Sequence, residues 1–92
     1  MNKKLFDVVH PYATVGVHAL LDDNKFTVEE LNALVKRHEI NEDDNEYAKD
    51  RALNNSEYCF SVYFLHGIKL YIITENYEDI TTTILLPEEY WL

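Results

Sequence analysis

The chain has 92 residues, 47% of them hydrophobic and 13% aromatic, with two glycines, two prolines and one cysteine. Seventeen acids against eight bases leave a net charge of −9, which disfavours direct contact with nucleic acid or anionic membrane and points to a basic partner surface. The size fits one small domain spanning 1–92, and the lone Cys59 excludes an internal disulfide or a cysteine-built zinc site within one chain.

A single free thiol suits a reducing, cytoplasmic setting. No apolar run is long enough to span a bilayer, and the apolar stretch of the opening MNKKLFDVV is broken by Asp7, His10 and Pro11. In chain order, residues 8–22 have two readings. Pro11 suits the first turn of a helix running to about Leu21, whereas Val15, Val17, Ala19 and Leu21 alternate as in a strand; helix is preferred. Thr27 and Glu30 form a capping-box pattern, and Val28, Leu31, Leu34, Val35 and His38 follow at helical spacing. A third helix is expected from about Asp43 to Leu53, with Asp43, Asp44 and Glu46 at the positive end of its dipole.

From Glu57 onward the chain reads as strands. EYCFSVYFL and IKLYIIT flank His66-Gly67, a two-residue hairpin turn that sets Leu65 opposite Ile68. ENYED makes a second turn before ITTTILL. The expected fold is α+β: a three-stranded antiparallel meander packed on two or three helices. With a four-residue second turn, Phe60, Val62, Phe64, Tyr71, Ile73, Ile80, Ile84 and Leu86 form the core face. The other face carries Cys59, Ser61, Thr74, Thr81 and Thr83 at one end and Tyr63, Leu65, Ile68, Leu70 and Leu85 at the other. The latter five are apolar enough to need covering, by the N-terminal segment or by a second copy in a homodimer.

Chemistry-bearing patterns are few. His10, His18, His38 and His66 include no pair at helical zinc spacing, and His38 reads as a packed side chain. A calcium loop starting at Asp43 fails from Tyr47 onward, with Ala48 at the glycine position and Asn54 at the bidentate-glutamate position. With only Gly16 and Gly67, no phosphate-cradling loop is available, and Cys59 lies mid-strand without a nucleophile signature. No catalytic residue, cofactor or metal is expected.

What remains is acidity. Residues 39–46, EINEDDNE, hold five carboxylates and no base, and residues 52–92 hold six acids and only Lys69. The candidate contact surface comprises Glu29, Glu30, Glu39, Glu42, Asp43, Asp44, Glu46, Asp50, Glu57, Glu75, Glu78, Asp79, Glu88 and Glu89. Alternate strand residues lie roughly 6.5–7 Å apart, so folded acids can be set out like the phosphates of a DNA strand and occupy a DNA-binding groove. The opening MNKKLFDVVHPYATVG, the tail ENYEDITTTILLPEEYWL, the length and the acidity together resemble the Arn family of anti-restriction proteins of T-even bacteriophages. That resemblance spans essentially the whole chain and rests on no diagnostic motif. It implies inhibition of a host restriction nuclease of the McrBC type by imitation of duplex DNA, with a histone-like DNA-binding protein, H-NS, as a further basic partner and no catalytic residues. The alternative is an antitoxin or immunity protein that plugs one basic toxin, in which a few hot spots would carry the binding.

Overall fold

The computed structural model describes residues 4–47 and 52–90. Of the two readings of residues 8–22 the helix holds, as α1 (Val15–Asp22), and the alternating Val15, Val17, Ala19 and Leu21 form no strand; a two-residue strand β1 (Tyr12–Ala13), not expected, runs straight into it. Thr14, in extended conformation, is the cap between them. Asn24 then takes φ 59°, a left-handed conformation that asparagine tolerates, and turns the chain. Helix α2 (Val28–Glu39) opens with the expected box, in which Thr27 Oγ1 accepts the Glu30 N–H and Glu30 Oε1 accepts the Thr27 N–H. Lys36, Arg37 and His38 sit in its last turn, and Asn41 at φ 57° redirects the chain beyond it.

The meander forms as β2 (Tyr58–Leu65), β3 (Ile68–Asn76) and β4 (Ile80–Leu85). Leu65 faces Ile68 across His66-Gly67, and both turn residues have positive φ, which matches the twist of the flanking strands. The sheet is nevertheless mixed and four-stranded. Its order is β1-β4-β3-β2, with β1 parallel to β4.

The register of the second hairpin differs from expectation. Asn76 pairs with Ile80, so three residues rather than four make the turn. Because side chains alternate, that single residue moves Ile80 and Ile84 to the face expected to be open. This face is the one that carries the core. Val17, Phe26, Leu31, Leu34 and Val35 from the helical side meet Tyr63, Leu70, Ile72 and Ile84 from the sheet. The surface expected to form a dimer face is therefore buried within the chain. Tyr63 and Leu70 are fully buried, Leu65 and Ile68 pack against the same cluster, and Leu85 is buried on the opposite face with Tyr71 as its cross-strand partner.

The reason for the inversion is polar. His38 points into the sheet from α2 and is fully buried. Its Nδ1 lies 2.6 Å from Ser61 Oγ and its Nε2 2.8 Å from Thr74 Oγ1, which is in turn 2.7 Å from Thr82 Oγ1. Ser61, Thr74 and Thr82 are thus interior groups that satisfy one another, so the Ser61 and Thr74 hydroxyls of the expected polar strand end belong to the core, joined by Thr82 in place of the expected Thr81 and Thr83. Phe6 packs edge-on against the His38 ring at 5.1 Å.

Candidate functional site

The third expected helix does not begin at Asp43. Residues 43–47 are irregular, and 48–51, including Asp50, lie outside the described residues. The segment follows the outer edge of β2, a strand whose outward backbone groups would otherwise be open for pairing. Asp43 Oδ2 accepts the Val62 N–H at 3.0 Å, the Asp44 N–H donates to the Val62 carbonyl at 2.9 Å, and Asp44 Oδ2 accepts the Phe64 N–H at 3.2 Å. Asn54 continues the pattern with both ends of its amide, accepting the Phe60 N–H and donating to the Phe60 carbonyl, each at 2.9 Å. Asn55 does the same for Tyr58 with its side-chain oxygen and its own N–H. At Tyr58, Phe60, Val62 and Phe64 the edge is thereby closed by side chains and loop backbone. The Arg37 guanidinium, 2.9 Å from Asp44 Oδ1, pins the loop to α2. Burial pushes the Asp44 carboxyl up, but Arg37 and the Phe64 N–H outweigh it and hold it below its ordinary range.

Other candidate acids are engaged in the same way. Glu39 is buried and accepts the Val8 N–H at 2.7 Å, with Lys4 Nζ at 3.6 Å, so it ties down the N-terminal segment. Glu30 serves the capping box and lies 2.6 Å from His66 Nε2; the Thr27 N–H, then His66, hold its carboxyl low. Glu89 bonds to the Thr14 hydroxyl and to the N–H groups of Gly16 and Leu86. A Cβ on Gly16 would meet Leu86 Cδ1 at 2.8 Å and Glu89 Oε2 at 2.9 Å, so a larger residue here would have to displace the ends of these two side chains. Desolvation raises Glu89, yet these bonds outweigh it and leave the carboxyl below its ordinary range.

The remaining candidates separate in space. Glu57, Glu75, Glu78 and Asp79 are exposed and come together at one end of the sheet: Tyr58 pairs with Glu75, and the Asn76 N–H donates to the Glu57 carbonyl at 2.8 Å. Glu75, Glu78 and Asp79 share a shallow concavity of about 370 Å³ with Tyr77 and Thr81. Among the described residues none of these four carboxylates makes an ion pair. Glu29 is exposed in the first turn of α2, Glu88 is exposed in the 3-10 turn Pro87–Glu89, Glu42 lies 3.9 Å from Arg37, and Glu46 is exposed on the β2-edge loop.

Cys59 is the thiol nearest an imidazole, with Sγ 3.8 Å from His38 Nδ1. Burial drives the thiol up to about 11 and the imidazole down to about 4, so both neutral forms are favoured, the reverse of an activated thiolate–imidazolium pair. Among the described residues no group of three or more His, Cys, Asp or Glu could hold a metal ion, and no helix is long and apolar enough to cross a membrane.

Asn54 and Asn55 are not among the expected site residues, although paired asparagines just before a strand signal side-chain bonding to its backbone. Phe60 and Phe64, expected on the core face, are not on it. They lie on the opposite, partly open face, where Phe60, Tyr71 and Tyr90 form a ring cluster with centroids 4.8–5.9 Å apart and Phe64 is 51% exposed. No family model, no curated protein and no solved structure matches the chain.

Proposed function

We propose that the protein is an acidic decoy that occupies the DNA-binding surface of a basic host protein, a restriction nuclease of the McrBC type being the first candidate and a histone-like protein such as H-NS the second. The observation that carries this reading is the set Glu57, Glu75, Glu78 and Asp79 at one sheet end, without an ion pair among the described residues, on a chain of net charge −9. Carboxylates without counter-ions of their own gain from a basic groove as phosphates do, by releasing the anions and cations condensed on each side. The resemblance of the opening and tail to the Arn family supports the same partner class. The acids that close the β2 edge and cap the helices contribute to the field of the whole molecule, while their positions are set by folding.

The test is displacement. Labelled duplex carrying modified bases, bound to a nuclease of this type, should be released by the protein in a concentration-dependent way, with competition weakening steeply as salt rises. The variant Glu57→Gln/Glu75→Gln/Glu78→Gln/Asp79→Asn should compete at least tenfold less well, because four charges act together where one contributes little. Equal competition by wild type and variant, or none by either, would overturn the proposal.

A further inference from the structure

On the sheet face opposite the core, a groove of about 380 Å³ lies between the β2-edge loop and the sheet, lined by Asp44, Asn45, Glu46, Tyr47, Phe60, Val62, Phe64 and Lys69. Its volume falls in the range of about 300–1,000 Å³ typical of sites that bury a small ligand or a side chain. Two aromatic rings stand open at its rim, Tyr47 at 61% and Phe64 at 51% exposure. Beside them the Glu46 carboxylate is exposed and, among the described residues, without an ion pair. The face already holds one cation on a ring: Lys69 Nζ lies 5.7 Å from the centroid of Tyr71.

We propose that this groove is a docking site for an arginine side chain presented by an extended basic segment of a partner protein. The guanidinium would stack on Tyr47 or Phe64, with its N–H groups directed at Glu46. Aromatic faces attract cations, arginine more often than lysine because its flat, weakly hydrated group stacks, and an adjacent carboxylate adds a charged acceptor. A second copy of this chain is the poorer occupant on charge grounds. It would bring another molecule of net charge −9 and its own Asp44 and Glu46 against the same rim. The inference rests on the decoy reading for its partner class and adds to it a discrete anchor, where the decoy reading invokes only a distributed field.

The probe is a short synthetic peptide alternating arginine and glycine, compared with its lysine and uncharged citrulline counterparts, with binding followed by fluorescence anisotropy and by backbone amide shifts. The arginine peptide should bind more tightly than the lysine peptide, and the citrulline peptide should not bind. Shifts should centre on residues 44–47 and 60–64. Tyr47→Ser and Phe64→Ser, with thermal melting used to check that each variant keeps its fold, should each weaken arginine binding by about fivefold, the scale of one exposed cation–π contact. That loss should persist as added salt shortens the screening length to a few ångströms. Unchanged affinity in both variants, equal affinity for arginine and lysine, or shifts centred on residues 75–79 would overturn the anchor. So would sedimentation showing a wild-type dimer that Phe64→Ser dissociates, since the face would then lie between copies. Silent groove variants in a protein that still displaces duplex would remove this inference and leave the decoy reading standing. Groove binding without duplex displacement would do the opposite.

Discussion

The two acidic stretches of the chain, EINEDDNE at 39–46 and the hairpin turn ENYED at 75–79, look alike in composition and are built for different work. In the first, Glu39, Asp43 and Asp44 accept backbone N–H groups of Val8, Val62 and Phe64, and Arg37 locks the loop in place. In the second, Glu75, Glu78 and Asp79 project around an open turn. Charge density alone therefore does not mark a binding surface. An acid is available to a partner only if the fold has not already committed its oxygens. Neutralising Glu42, Asp43, Asp44 and Glu46 together would change stability as well as surface charge, which makes the 57–79 set the cleaner probe of function.

The largest expected contrast is in stability. Asp43→Ala/Asp44→Ala should cost about 3–4 kcal/mol, since charge-assisted bonds to the Val62 and Phe64 N–H groups, each worth roughly 1.5–3 kcal/mol on removal, disappear together with the Arg37 pair. Glu78→Gln/Asp79→Asn should stay within about 0.5 kcal/mol of wild type. Urea titration of both variants measures the difference, and equal midpoints would erase the distinction between the two stretches. The Asp43/Asp44 variant should also self-associate, because the β2 edge is opened.

Titration sharpens the comparison next. His38 has an ordinary value of 6.5 and is held near 4 by burial when folded. A base depressed in this way binds more protons unfolded than folded. Its neutral form supports full stability above about pH 6.5, and stability falls as pH drops toward 4, by on the order of 3 kcal/mol in all. Asp44, Glu30 and Glu89, held below their ordinary range, act in the same direction at lower pH, losing their contribution as pH falls through their depressed values. Stability measured across this range should therefore decline in two stages. A flat profile from pH 6.5 to 4 would mean that His38 is solvated in solution.

A smaller effect is expected at Glu39. Glu39→Gln keeps an acceptor for the Val8 N–H but loses its charge, and should cost about 1–2 kcal/mol. Amide exchange should accelerate at residues 5–8 before it does in the sheet. Uniform acceleration would show that the N-terminal segment and the core open as one unit.

Much of the fold was legible in the sequence because local chemistry forced it. Thr27 with Glu30 can do little other than cap a helix, and His66-Gly67 supplies the two positive φ values that a two-residue hairpin requires. What was not legible depended on long-range satisfaction. Ser61 and Thr74 look like a wet strand end until His38 arrives from a helix 23 and 36 positions away in sequence. Asp43 and Asp44 look like a helix start until the edge of β2 claims their oxygens, and the parallel partner β1 is only two residues long. The acidity is visible in the sequence as a bulk property, but its division into committed and uncommitted carboxylates follows from backbone donors that no pattern of side chains displays.

The burial of Cys59 gives the molecule its own reporter. The chain's single thiol lies on the core face of β2 at 0% exposure, beside the His38 network. A thiol reagent can reach it only when the packing over β2 opens, so its labelling rate under native conditions counts how often that happens. With reclosing faster than labelling, the rate divided by that of a free cysteine gives the open fraction directly. A partner that clamps the sheet must slow this reaction in proportion to its occupancy, wherever on the surface it sits.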